Sequence, residues 1–510
     1  MTFDRHPRGT DARVLLTSVF GPFAQDDAYG SRSINPMELY HNQVTRVQGP
    51  FSLRMFHRSW GIMMIQHNID APSTVLDFPT LEQFVDEIRN TRYDIVGISS
   101  IIPNIGKARK MCELVREHQP QCTIVVGGHV AGIPDVHERI DADHIVRGDG
   151  ISWFRKFLGQ DESAPIVHPA LYAGFGSRSM GIPISQRPSD TAAALIPSVG
   201  CPMGCSFCCT SAMFGGKGKY LNFYDSGEDL FRVMCDLEDR LKVRSFFVMD
   251  ENFLLHRARA LGLLDLMKRH EKSWSLYVFS SANALRAYTM EELIGLGISW
   301  VWMGLEGENS SYVKLQGTDT HALVRDLQAN GIRVLGSTII GLESHTPENI
   351  DGAIDYAIRH DTDFHQFMLY TPVPGTPLYA EHLSKGTILR DVDLADIHGQ
   401  FRFNFIHPHI SREQSEEFLL RAFHRDYKVN GPSIMRIIRT VLQGWLRHRN
   451  HPEKRIRERF RHEARGISTV YAGTLWAMER YFRKSNPGVT ARIHDLQDAI
   501  GREFGLKARL

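Results

Sequence analysis

Residues 198–216, SVGCPMGCSFCCTSAMFGG, gather four of the chain's seven cysteines into nine positions. Three of them, Cys201, Cys205 and Cys208, follow a C-x3-C-x2-C spacing. Soft thiolates at this density select zinc, copper or an iron–sulfur cluster. A structural zinc wants four ligands in a closed tetrahedron, and the side chain of Cys209, next to Cys208, does not readily turn to the same ion. A [4Fe–4S] cube is normally held by four thiolates; held by three, it keeps one iron open. An open iron can chelate a ligand through amino and carboxylate groups. Cys209 then reads as a core thiol behind the loop, and Cys112, Cys122 and Cys235, set in apolar runs, as buried structural thiols.

The elements that must position this loop follow from periodicity. The runs AALIPSV (193–199), SFFVMD (245–250), SLYVFS (275–280), SWVWMG (299–304), RVLGSTII (333–340) and DFHQFMLY (363–370) are strand-like, with helical segments between them. They predict a partial (β/α)6, TIM-like barrel over 194–400, and such barrels do their chemistry at the C-terminal ends of the strands. The cysteine loop follows the first of these strands. Residues 1–165 alternate short Val/Ile runs with amphipathic helices, the pattern of a doubly wound parallel sheet covered on both faces. Ligands of such sheets sit at the carboxyl ends of the strands. Residues 30–70, rich in aromatics and Met, read as a partly helical insertion after the first strand, and the Pro/Ser/Gly-rich 166–193 as a linker. Residues 401–510 are expected to be helical. The fold class is therefore α/β with a helical, basic C-terminal tail.

The string Cys201, Cys205, Phe207, Cys208 resembles the C-x3-C-x-aromatic-C motif of the radical S-adenosylmethionine (SAM) enzymes. The resemblance implies a [4Fe–4S] cluster on the three cysteines. Its open iron binds SAM, and an electron from the cluster releases methionine and a 5′-deoxyadenosyl radical. It also implies SAM contacts at Phe207, at Asp250 and Glu251 ending the second strand, and at Ser281 and Asn283 after the third. Glu306 after the fourth strand and Ile339 and Gly341 on the fifth complete the set. The family's Gly-Gly-Glu glycines are missing before Asp250, as in the members with a preceding cobalamin domain. The N-terminal sheet resembles that cobalamin-binding (B12-binding) domain through three strand ends: SSII with Ser99 and Ser100, VVGGHVAG with Gly127, Gly128 and His129, and VRGDG with Gly148. The Asp-x-His-x-x-Gly segment is absent, so cobalamin would be held without a His from that motif. His129 has two readings, a contact with the corrin edge or a loop hydrogen bond.

Bulk properties narrow the function. Few cysteines outside the cluster argue against a secreted disulfide framework and for a reducing compartment. No apolar leader and no run of 18 apolar residues is seen, so neither a signal peptide nor a membrane span is expected and a cytoplasmic protein is. Net charge is +1, yet residues 431–510 hold 17 Lys/Arg against 7 Asp/Glu. Within them the amphipathic helix 433–449 is read first as a solvated face packed on the barrel. The alternative is a peripheral contact with the inner face of the membrane. Nucleic acid is a poor partner, since the basic residues interleave with Ile, Leu and Trp and the rest of the chain is mildly acidic. The leading expectation is a cobalamin-dependent radical SAM enzyme that methylates an unactivated carbon of a bulky small-molecule substrate, lipid-like or polycyclic. Its electron donor would be of the flavodoxin or ferredoxin kind. The alternatives are a radical oxidative cyclase of the tetrapyrrole-cyclase type without methyl transfer, and a non-enzymatic, metal-stabilised binding protein.

Overall fold

The computed structural model describes residues 4–21, 28–31, 38, 40–179, 182–183, 190–306 and 319–505. Up to residue 146 the strands are β1 (Val14–Ser18), β2 (Leu53–His57), β3 (Ser73–Leu76), β4 (Ile95–Ser99), β5 (Thr123–Gly127) and β6 (His144–Val146). All but β2 form a parallel sheet in the order β3-β1-β4-β5-β6. Every residue of β1 is buried and β4 is buried over four of its five, which is why these segments read as unbroken apolar runs: helices cover both faces. The chain leaves β1 toward β3 on one side and β4 on the other. This is the switch point beside which open sheets of this kind form a ligand crevice. The helix Leu81–Asn90 starts after Thr80, whose side chain forms a reciprocal capping box with Gln83.

The segment 166–193 is more than a linker. It contributes β7 (Gly174–Ser179) and β8 (Ile182–Pro183), and β7 pairs antiparallel with β2. The partner strand lies within the insertion at 30–70, far away in sequence, so composition alone showed neither piece as a strand. The rest of that insertion holds the helix Trp60–His67, while its residues 32–37 and 39 lie outside the described residues.

The second half continues with β9 (Ala192–Leu195), β10 (Ser198–Val199), β11 (Leu221–Asn222), β12 (Ser245–Val248), β13 (Ser275–Ser280), β14 (Ile298–Gly304), β15 (Arg333–Ile340) and β16 (Phe364–Leu369). Six of these form a parallel sheet in sequential order from β9 through β12 to β16, the partial barrel. The expected first strand 193–199 splits at Pro197, which has no N–H for the ladder; beyond it β10 pairs with β11 instead. Alternate residues face the lumen, and there they are aromatic. Phe247, Tyr277, Phe279 and Trp302 pack ring against ring, with Phe247–Tyr277 centroids 4.7 Å apart and Phe279–Trp302 5.0 Å. Trp60 of the N-terminal half joins this file at 5.7 Å from Phe247.

The tail is helical and buries the face that the sequence left open to a membrane. In the helix Ser433–His448, Ile434, Ile437, Ile438, Val441 and Leu442 are core residues packed with Leu335 and Phe364 of the barrel. Two of its basic residues are paired within the protein, while Arg447 is exposed. Arg436 is fully buried and pairs with Asp426 at 2.8 Å, Arg439 pairs with Asp361, and Trp445 donates Nε1–H to Glu503 at 2.8 Å. The first reading of 433–449, a face packed on the barrel, is the one the structure supports, with Leu446 left exposed. Among the described residues no helix is long and apolar enough to cross a membrane.

Candidate active site between the two parallel sheets

The cysteine loop is shaped by its own backbone. Cys208 caps the short helix Cys209–Met213, its Sγ accepting the Ser211 N–H at 3.4 Å. Ser211 Oγ donates to the Cys201 carbonyl at 2.9 Å, and the Cys208 N–H to the Cys205 carbonyl at 3.0 Å. The loop after β16 closes over it, Leu378 N–H reaching the Ser206 carbonyl at 3.0 Å. Burial pushes the Cys201 thiol up to about 11, with Cys208, Cys205 and Glu251 adding to the shift, so the three thiols and this carboxyl share one site. Cluster binding must then drive the deprotonation itself. Among the described residues no three His, Cys, Asp or Glu side chains gather as one ion's shell. A cube takes each thiolate on a separate iron, so three thiols serve it with one iron left open, whereas a structural zinc needs a fourth ligand. Burial pushes Cys209 up to about 12, in keeping with an inert thiol behind the loop.

Two adjacent carboxylates end β12 and have different fates. Asp250 is 2% exposed and fully committed: Ser198 Oγ donates to it at 2.6 Å, the Asn252 N–H at 3.0 Å and Arg259 Nη2 at 2.5 Å. Its carboxylate anchors the turn after β12 with three donors already on it. Glu251 is the opposite. Its Oε2 is buried with no hydrogen-bond partner, and burial raises its carboxyl to about 7. An orphaned carboxyl oxygen beside Cys201 is the acceptor that an ammonium group would satisfy.

Glu251 also lines a cavity of about 390 Å³ between the two sheets. From the N-terminal side come Ser99, Gly127, Gly128, His129, Gly148 and a deep apolar wall including Leu16, Gly97 and Phe154; from the barrel come Val199, Thr210, Met213, Phe214 and Met249. Gly128 has φ +84°, and a Cβ there would lie 2.5 Å from the Ser100 carbonyl oxygen, so only glycine lets this edge of the cavity form. The cradle is apolar, backbone-lined and open at the carboxyl ends of β4 and β5, which fits a large flat cofactor.

The family model of the B12-binding domain matches residues 55–158, and that of the radical SAM superfamily matches 195–357. The chain thus matches a B12-binding domain followed by a radical SAM domain, in that order along the sequence. An uncharacterized methyltransferase of Pyrococcus horikoshii is 22% identical over 64% of this chain and 77% of its own length. The bacteriochlorophyllide d C-8(2)-methyltransferase of Chlorobaculum tepidum is 23% identical over 72% of this chain and 83% of its own. Among solved structures, the radical SAM methyltransferase TsrM of Kitasatospora setae, with cobalamin and a [4Fe–4S] cluster bound, has the same fold. It superposes with a TM-score of 0.54 at 16% identity, covering 89% of this chain and 99% of that one.

Within this B12-binding radical SAM frame the remaining residues sort as follows. Ser99 reaches the cavity, whereas the Ser100 hydroxyl turns to the Ile101 carbonyl at 3.0 Å and does not line it. His129 lines the cavity and places Nε2 3.3 Å from Thr210 Oγ1, so both of its readings meet in one position. The Ser281 hydroxyl caps the helix Ala282–Arg286 and accepts from Asn252 Nδ2 at 3.2 Å. Asn283 stands half-buried in that helix's first turn. Glu306 is buried at φ +53°, held where Leu305 donates its N–H to the Ser337 carbonyl at 2.7 Å; residues 307–318 beyond it lie outside the described residues. Ile339 alternates with Ser337 on the lumen side of β15. Gly341 is required by packing, since a Cβ there would meet the Phe403 ring at 2.4 Å. Phe207 lies half-buried in the cysteine loop. Residues missed from sequence are Asn252, Arg259, Thr210 and Arg147. Arg147 and Thr210 stood inside the quoted VRGDG and cysteine-loop strings, while Asn252 and Arg259 match no motif although their partner Asp250 lies close in sequence.

Proposed function

We propose that the protein is a cobalamin-dependent radical SAM methyltransferase acting on an unactivated carbon of a bulky, apolar substrate, lipid-like or polycyclic. The observation that carries this is the single cavity on which the glycine-rich strand ends of the B12-binding sheet and the cysteine-loop end of the barrel converge. When bound, the cluster and cobalamin would supply the electron for SAM cleavage and the carrier for the methyl group. Cys201, Cys205 and Cys208 would hold the cluster, Glu251 would take the SAM ammonium, and Gly127, Gly128 and Gly148 would let the corrin lie against backbone. The aromatic lumen keeps water from the reacting carbon and offers flat apolar surface to a ring system. The overall balance is that R–H, two SAM and two electrons give R–CH3, S-adenosylhomocysteine, methionine and 5′-deoxyadenosine. The electrons come from a flavodoxin- or ferredoxin-type donor.

The test is feeding methyl-deuterated SAM to cells or extract with and without the gene and comparing apolar metabolites by mass. A product carrying the labelled methyl, absent without the gene, supports methylation. An unlabelled product that has lost hydrogen replaces it with oxidative cyclisation.

A further inference from the structure

The short helix Cys209–Met213 is the direct continuation of the third cluster cysteine, and Ser211 ties it back to Cys201. Both of its ends are held from the B12-binding side. Near its start, Thr210 Oγ1 lies 3.3 Å from His129 Nε2. Near its end, the Ala212 carbonyl accepts from Arg147 Nη2 at 3.0 Å, and the same nitrogen reaches the Gly375 carbonyl at 3.4 Å. His129 is aimed by a stiff turn: Ser100 N–H donates to the Gly127 carbonyl at 3.0 Å and Val130 N–H to the Ser100 carbonyl at 3.2 Å. His129, Thr210 and Met213 all line the cavity between the sheets, and so does Gly148, next to Arg147.

We propose that His129 and Arg147 are positioning residues that clamp the cluster helix to the B12-binding sheet, so that filling the cavity is felt at the cluster. A group entering the cavity touches the clamp and the helix together, and the helix has only five residues through which to absorb a displacement before it reaches Cys208. The barrel and the B12-binding sheet are thus coupled at the metal ligands. This rests on the reading of the cavity as the cobalamin site.

The experiment uses the full chain, purified anaerobically and reconstituted with Mössbauer-active iron. Mössbauer spectra, which read only iron, are recorded before and after adding hydroxocobalamin, and iron release to a chelator is timed. The wild type shows a cobalamin-dependent change in the cluster spectrum. Thr210→Val and Arg147→Met lose that change at cobalamin concentrations where dialysis shows the cavity filled, and they release iron roughly fivefold faster, the effect of one lost hydrogen bond of about 1 kcal/mol. Thr210→Ser, which keeps the hydroxyl, behaves as wild type, so loss in Thr210→Val is not a packing defect. A wild-type spectrum indifferent to bound cobalamin, or variants that respond as wild type does, overturns the clamp alone. A wild type that takes up no cobalamin overturns the functional reading and the clamp with it.

Discussion

Arg259 Nη2 stands 2.5 Å from Asp250 Oδ2, and both side chains are 2% exposed. The pair fixes the turn after β12, with Ser198 and the Asn252 backbone as further donors. Removing one partner strands a charge inside the protein. Arg259→Leu or Asp250→Ala is expected to cost about 3–5 kcal/mol, read as a lower urea midpoint with an unchanged slope.

The neighbouring Glu251 should behave in the opposite way. Its Oε2 has no partner to lose, so Glu251→Gln folds with stability equal to or above wild type. The same change removes the charged acceptor for the SAM ammonium, an interaction of about 1.5–3 kcal/mol. Equilibrium dialysis should therefore show SAM binding weakened by roughly tenfold to a hundredfold. A destabilised protein with unchanged SAM affinity would reverse the assignment of the two acids.

Gly128→Ala tests the edge of the cavity. At φ +84° an alanine is strained, and its Cβ would sit 2.5 Å from the Ser100 carbonyl. The β5 strand end must shift, and cobalamin affinity is expected to fall more than tenfold while the iron content stays at the wild-type value. Iron loss in step with cobalamin loss would show the change to be global.

Acid should unfold this protein through buried imidazoles. Burial lowers His365 and His360 to about 3, and His168 and His398 to about 4, from the ordinary 6.5. The unfolded chain binds protons near 6.5 that the folded chain refuses, so stability is full above about 6.5 and is lost as pH falls toward about 3 to 4. Each such group contributes a slope of up to about 1.4 kcal/mol per pH unit. His365 bonds to Thr338 and Thr362 at 3.0 Å. His365→Asn should lower stability at pH 7 yet flatten its pH dependence, checked by denaturant melts across pH 5–7.

What was legible in the sequence was local. The C-x3-C-x2-C spacing needs only eight residues, and the strands were readable because two-sided burial leaves unbroken Val/Ile runs. The lumen was visible in hindsight in SLYVFS and SWVWMG, where aromatics alternate with period two. Illegible features depend on distant partners. Which of Asp250 and Glu251 turns inward is decided by Arg259 and by Ser198, from a different strand. The strand at 174–179 exists because Leu53–His57 pairs with it. The amphipathic helix 433–449 left both barrel packing and lipid open because nothing near it reveals that Arg436 belongs to Asp426 and Arg439 to Asp361.

The claim beneath all of this is that Cys201, Cys205 and Cys208 hold a cube with one open iron. Iron, zinc and sulfide determination on anaerobically purified protein, beside the Cys201→Ala/Cys205→Ala/Cys208→Ala variant, tests it most directly. The account predicts about four iron and as much acid-labile sulfide per chain, both lost in the variant. One zinc per chain without iron, or iron retained in the variant, would contradict it.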